Sequence, residues 1–276
     1  MSALQAREAG GGGTLVSLIL HAVQMRVRGT IIWGIVPGLY VLLMIAAYVS
    51  LEDQMQQFEE LLATYPEAFA EAFEMSSLVT IEGFLGAEFF NVFAPLVFSF
   101  FAILALSAAL AGAEERRTID VLLSNPFPRW QLVIGSFIST AISLFFILAI
   151  LGLFTWIPAA LFDLDLSLSR AVETVLGLWP ICIVFGALAL LCSAFFHRRA
   201  LAIAIPAILL FGMYFMDVIG GLVEDMEDLK YLSAFYYYGS PVQDGIVWAH
   251  FAGLVGAAVV LVVLAIPIFR LRDIYT

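Results

Sequence analysis

The chain has 276 residues, of which 63% are hydrophobic and only 13% charged, with mean hydropathy +1.02 and a formal net charge of −11. A soluble domain carries roughly twice that share of charge, so the composition excludes one. Several apolar runs of about 20 residues can each cross a ~30 Å hydrocarbon core, and the alternating ~10-residue segments of an outer-membrane barrel are missing. The expectation is an all-α polytopic membrane protein.

Residues 1–13 are small, polar and glycine-rich, which predicts a flexible tail. Over 14–28, Ser17, His21, Gln24 and Arg28 share one helical face, with Leu, Ile, Val and Met elsewhere. That spacing predicts an amphipathic helix at the membrane surface. Arg26 and Arg28 close its apolar run on the wrong side for a cleavable signal peptide. His21 reads as a residue of the polar face, not a ligand.

Residues 29–276 read as a single transmembrane domain with spans near 30–49, 89–111, 132–159, 175–196, 201–219 and 247–269. The third is long enough to tilt or to begin outside the bilayer. Pro37, Pro95, Pro180 and Pro206 fall inside spans, where membrane helices tolerate proline. Arg7, Arg26, Arg28, Arg116, Arg117, Arg129, Arg198, Arg199, Arg270 and Arg272 share one side, leaving Arg170 and Lys230 on the other. The positive-inside rule then makes both termini cytoplasmic. Cys182 and Cys192 lie ten residues apart in one span, about 15 Å, which is too far to bridge.

The first outer loop, 51–88, holds nine acidic residues and no Lys or Arg. Met55, Phe58, Leu62, Tyr65, Phe69 and Phe73 recur there every three or four residues, predicting external amphipathic helices. These read equally as a docking surface or as a solvated loop resting on its apolar stripe.

Between spans two and three runs Glu114-Glu115-Arg116-Arg117-Thr118-Ile119-Asp120-Val121-Leu122-Leu123-Ser124-Asn125-Pro126-Phe127-Pro128-Arg129-Trp130. Ile119, Leu122 and Leu123 share one helical face, with Glu115, Arg116 and Asp120 on the other, and Asn125-Pro126 stops the helix. On pattern alone this helix anchors a turn at the interface. The stretch also resembles the first cytoplasmic loop of the ABC-2 family of transporter permeases. Glu114/Glu115, Thr118, Ile119, Asp120, Leu122, Leu123, Ser124, Pro126, Arg129 and Gly135 match that loop in order. Arg117, Pro128 and Ser136 depart from it, standing where the family has Gly, Ser/Thr and Lys. A second likeness lies in Leu232-Ser233-Ala234-Phe235-Tyr236-Tyr237-Tyr238, similar to a Ser-Pro-Phe-Tyr-Tyr stretch in some of these permeases, with Ala234 in place of the proline.

The resemblance implies an ABC-2 (type V exporter-like) fold: an N-terminal interfacial helix, six spans and a coupling helix between spans two and three. It implies a permease subunit of an exporter in a prokaryotic cytoplasmic membrane, paired with a second identical or paralogous permease. Two cytoplasmic ATPase subunits would dock on Glu114, Glu115, Arg116, Thr118, Asp120, Leu122, Leu123, Pro126 and Arg129, with Arg198 and Arg199 as a smaller contact. The path would run along spans one, two and five, past Asn91, Phe98, Phe101, Met213 and Met216, suiting a hydrophobic or amphiphilic cargo.

No chemistry of its own is legible in the chain. Its one lysine, Lys230, follows Leu and precedes Tyr, so no Walker A loop exists and ATP and Mg²⁺ would belong to a partner ATPase. His21, His197 and His250 are scattered without metal-ligand spacing. A chain of buried acids for proton coupling is missing, and nothing basic suggests a nucleic acid. The rival reading is a scaffold or sensor that binds a partner through its acidic outer loops without transporting anything.

Overall fold

The computed structural model describes residues 3–51, 80–116 and 128–272, with side chains from Leu15 onward apart from that of Glu224. Among these residues the chain is helical and contains no strand. In order come α1 (Ala3–Ser50), α2 (Ile81–Leu85), a π-helical turn (Gly86–Phe90), α3 (Phe93–Ser107), α4 (Ala111–Glu115), α5 (Arg129–Leu161), α6 (Leu168–Phe195), α7 (Arg199–Leu222), a 3-10 segment (Glu224–Leu232), α8 (Ala234–Tyr238) and α9 (Trp248–Leu271). Among the described residues, six stretches are long and apolar enough to cross a membrane: Leu15–Ser50, Ile81–Ser107, α5, α6, α7 and α9.

The six spans agree in number with the hydropathy pattern, but several boundaries differ, among them the start of the fourth, at Leu168 rather than 175, and two have identifiable reasons. The tail, surface helix and first span expected as separate pieces form one helix, α1. A lone Gly29 does not break it, because α5 offers a continuous packing surface alongside. The two helices run parallel: Leu18 lies on Gly135, Gly34 on Ile150 and Gly38 on Phe154. A Cβ at Gly38 would stand 2.7 Å from the Phe154 ring, so this Gly-x-x-x-Gly pair sets how closely the helices approach. Ser17, His21, Gln24 and Arg28 are all exposed, so the polar stripe faces outward as its spacing predicts.

The second span begins at Ile81, not near Phe89, and ends at Ser107. Thr80 caps it, its Oγ1 accepting the Gly83 N–H at 3.1 Å, with Glu82 in the first turn where a carboxylate suits the helix dipole. Glu82 therefore belongs to the span rather than to the preceding loop, and it pairs with Arg170 at 3.5 Å. Residues 52–79, which carry the expected Met55–Phe73 apolar stripe, lie outside the described residues.

α6 is the central span, packed by α3, α5, α7 and α9. Small residues let its neighbours come close: Gly186 meets Ala102 of α3, and Gly152 of α5 meets Val175. Cys182 and Cys192 are buried in α6 as free thiols. Trp179 reaches across from α6, donating its indole N–H to the Ala141 carbonyl at 3.0 Å. By contrast, α7 and α9 bury little of themselves against their own chain.

Candidate functional site

One end of the bundle gathers the starts of α5 and α7 and the ends of α3, α4, α6 and α9. Each helix end leaves orphan N–H or C=O groups. Here side chains from other helices satisfy them. Glu115 of α4 accepts the Arg199 N–H at 2.7 Å, placing a carboxylate at the N-terminus of α7. Arg199 in turn donates to the Leu104 carbonyl of α3 at 3.3 Å, and its stem lies over Gly112, 3.0 Å from where a Cβ would be.

Arg129, at the start of α5, donates to the Arg272 carbonyl at 2.8 Å and to those of Phe269 and Arg270, each at 3.4 Å. Arg272 closes the circle. Its guanidinium donates to the carbonyls of Ser193 (2.8 Å) and Ala194 (3.3 Å) at the end of α6, and it forms a short ion pair with Glu114. His197 lies 3.8 Å from the other Glu114 oxygen. Burial lowers the Arg272 pKa from its ordinary value, and the Glu114 charge works in the opposite direction. The result is a collar of cross-capped helix ends holding Glu114 and Glu115 to two other parts of the chain.

This collar refines what the individual residues do. Glu114 directs its carboxylate into the protein, while Glu115 is exposed and holds the N-terminus of α7 at the surface, so together they position the start of the 114–130 stretch. Arg116 is exposed, 3.5 Å from the Ala108 carbonyl, and Arg198 is exposed at the α7 N-cap. Thr118, Asp120, Leu122, Leu123 and Pro126 lie outside the described residues. Sequence reasoning placed Arg272 on the arginine-rich side and His197 in a contact turn with Arg198 and Arg199, but linked neither to Glu114. The only signal was an Arg-x-Arg pair directly after an apolar span.

The residues expected along the second and fifth spans are dispersed. Phe98 is fully buried, so it lines no surface of this chain. Phe101 packs against Trp33 with ring centroids 5.3 Å apart. Met213 is partly buried, its carbonyl accepting from Ser233 at 2.7 Å, while Met216 is exposed on α7 beside Phe215.

Asn91 belongs to a polar stitch at the far end. Ser240 Oγ lies 2.9 Å from both Asn91 Oδ1 and Gln243 Oε1, and Tyr238 donates to the Phe90 carbonyl in the π-helical turn at 2.9 Å. Burial pushes the Tyr238 phenol well above its usual range, which keeps it protonated as a donor. Ser233 caps α8, and Gly239 supplies the positive φ (64°) after it. The Tyr-rich stretch thus ties span two to the loop before α9.

Among the described residues no group of His, Cys, Asp and Glu is placed to hold a metal ion. No curated protein matches the chain. The model of a family described as ABC-2 family transporter protein matches residues 16–274. With six apolar spans and a match across nearly its whole length, the chain belongs to the ABC-2 family of transporter proteins and is a multi-pass membrane permease.

Proposed function

We propose that this chain is the membrane subunit of an ATP-driven exporter in a prokaryotic cytoplasmic membrane, with both termini and the collar on the cytoplasmic side. The arginine bias of that end supports the orientation. Two copies of an ABC ATPase, carrying ATP and Mg²⁺, dock on the 114–130 stretches of two permease subunits. The cargo is hydrophobic or amphiphilic and leaves the cell.

The observation that carries this reading is the collar. Glu114 and Glu115 bind the chain's own Arg272 and Arg199, so a displacement of the loop reaches α6, α7 and α9 together. Nucleotide binding elsewhere can then shift the population between two packings of the spans. The largely unburied apolar faces of α7 and α9, which include Phe211, Phe215, Val259 and Val263, are available to a second permease or to lipid.

The test is purification in mild detergent with partner identification and an ATP hydrolysis assay. A P-loop ATPase should co-purify in equal amount, and Leu123→Asp should release it while the spans stay inserted. An intact preparation without ATPase counts against the reading and favours a scaffold, whereas retained binding in Leu123→Asp counts against docking on the 114–130 stretch.

A further inference from the structure

Arg26 is the odd charge of α1. The polar stripe runs through Ser17, His21, Gln24 and Arg28, and Arg26 lies two residues from Arg28, about 200° around the helix from it. It sits instead at a crevice of about 360 Å³ between α1 and α3, lined by Met25, Arg26, Gly29, Thr30, Trp33, Phe101, Leu104 and Ala105. The crevice opens sideways: Met25 is 75% exposed, and a Cβ on Gly29 would meet nothing within 4 Å. Its size falls in the range of about 300–1,000 Å³ typical of small-molecule sites.

Along α1 the crevice spans Met25 to Trp33, about 12 Å at 1.5 Å per residue. One end is cationic, and the other is the tilted Trp33–Phe101 pair. A guanidinium has five N–H donors, and among the described residues Arg26 donates from Nη1 to Thr140 Oγ1 at 2.5 Å. A cation beside apolar membrane surface is costly unless an anion or water meets it.

We propose that this crevice binds a membrane lipid with an anionic headgroup. The phosphate accepts from Arg26, with Thr30 beside it, and an acyl chain lies along Gly29, Trp33 and Phe101. Charge complementarity selects the headgroup, and the lateral opening admits the chain directly from the bilayer. Binding requires neither an ATPase nor nucleotide, so it is testable independently of the transport reading.

The full-length protein is reconstituted into phosphatidylcholine vesicles doped with either brominated phosphatidylglycerol or brominated phosphatidylcholine. Trp33 fluorescence is obtained as the difference between wild type and Trp33→Phe. One basic residue near an anionic surface is worth about fivefold in partitioning, so brominated phosphatidylglycerol should quench Trp33 at about fivefold lower mole fraction. Arg26→Gln should abolish that preference, whereas Arg26→Lys and Thr140→Val should keep it. Gly29→Leu fills the open side while retaining the charge, and it should reduce quenching by both lipids. Equal quenching by the two lipids in wild type overturns the proposal, as does a preference that survives Arg26→Gln. If Arg26→Gln does not fold, undiminished quenching in Gly29→Leu overturns it instead.

Discussion

Replacing Arg272 with Ala removes the centre of the collar. The side chains of Arg272 and Glu114 are 6% and 13% exposed, so the Glu114 carboxylate would lose its main partner away from bulk water. The carbonyls of Ser193 and Ala194 would lose a donor at the same time. Breaking a buried ion pair costs about 3–5 kcal/mol. Water still reaches part of Glu114, so the expected cost is near the lower end, about 3 kcal/mol. Glu114→Gln keeps an acceptor for Arg272 and should cost about 1–2 kcal/mol. In the double variant the Glu114 carboxylate is no longer stranded, so the two costs should fall short of additivity by at least about 1 kcal/mol. Reversible unfolding in mixed micelles, followed by tryptophan fluorescence, gives the four free energies. Additivity within about 0.5 kcal/mol would refute the claim that Arg272 and Glu114 act as one unit.

Other perturbations test other joints. Gly38→Leu should destabilise the α1–α5 pair by about 1–3 kcal/mol through overpacking against Phe154, whereas Gly29→Leu should not, and unfolding curves compare the two. Tyr238→Phe deletes the donor to the Phe90 carbonyl and should cost about 1–3 kcal/mol, read in the same assay. On the exposed 3-10 segment, a hydrogen bond from Lys230 holds the Glu227 carboxyl below its ordinary range. A depressed carboxylate pKa contributes stability above its unfolded value and loses it as pH falls through the folded one. Amide protection factors over 224–232, taken relative to intrinsic rates at each pH, should therefore fall on acidification, and Lys230→Gln should remove that fall.

Hydropathy alone made the spans legible, because an uninterrupted apolar run of membrane length has few other uses. Their edges were less so. Glu82 reads as loop by charge, yet it sits in the first turn of a capped helix, where a carboxylate is welcome and Arg170 meets it. The surface helix over 14–28 and the span from 30 read as separate pieces, yet packing against α5 carries one helix through both. The collar was the least legible part: Arg272 and Glu114 are 158 residues apart, and no local period links them. Arg26 could have been noticed, since within residues 14–28 it was the one charge off the polar stripe.

The π-helical turn at Gly86–Phe90 has a further consequence. Such a turn accommodates one more residue than α-helical geometry allows, and each residue of an α-helix advances the facing direction by about 100°. Deleting Ala87 would let the segment relax to regular helix with little change of facing between the parts above and below, because the wide turn already absorbs the extra residue. With α3 locked to α6 through Ala102 and Gly186, α2 would keep Glu82 facing Arg170. A change of a single codon at this point is therefore absorbed where it falls, whereas the same deletion within regular α3 would re-aim the helix face beyond it by about 100°.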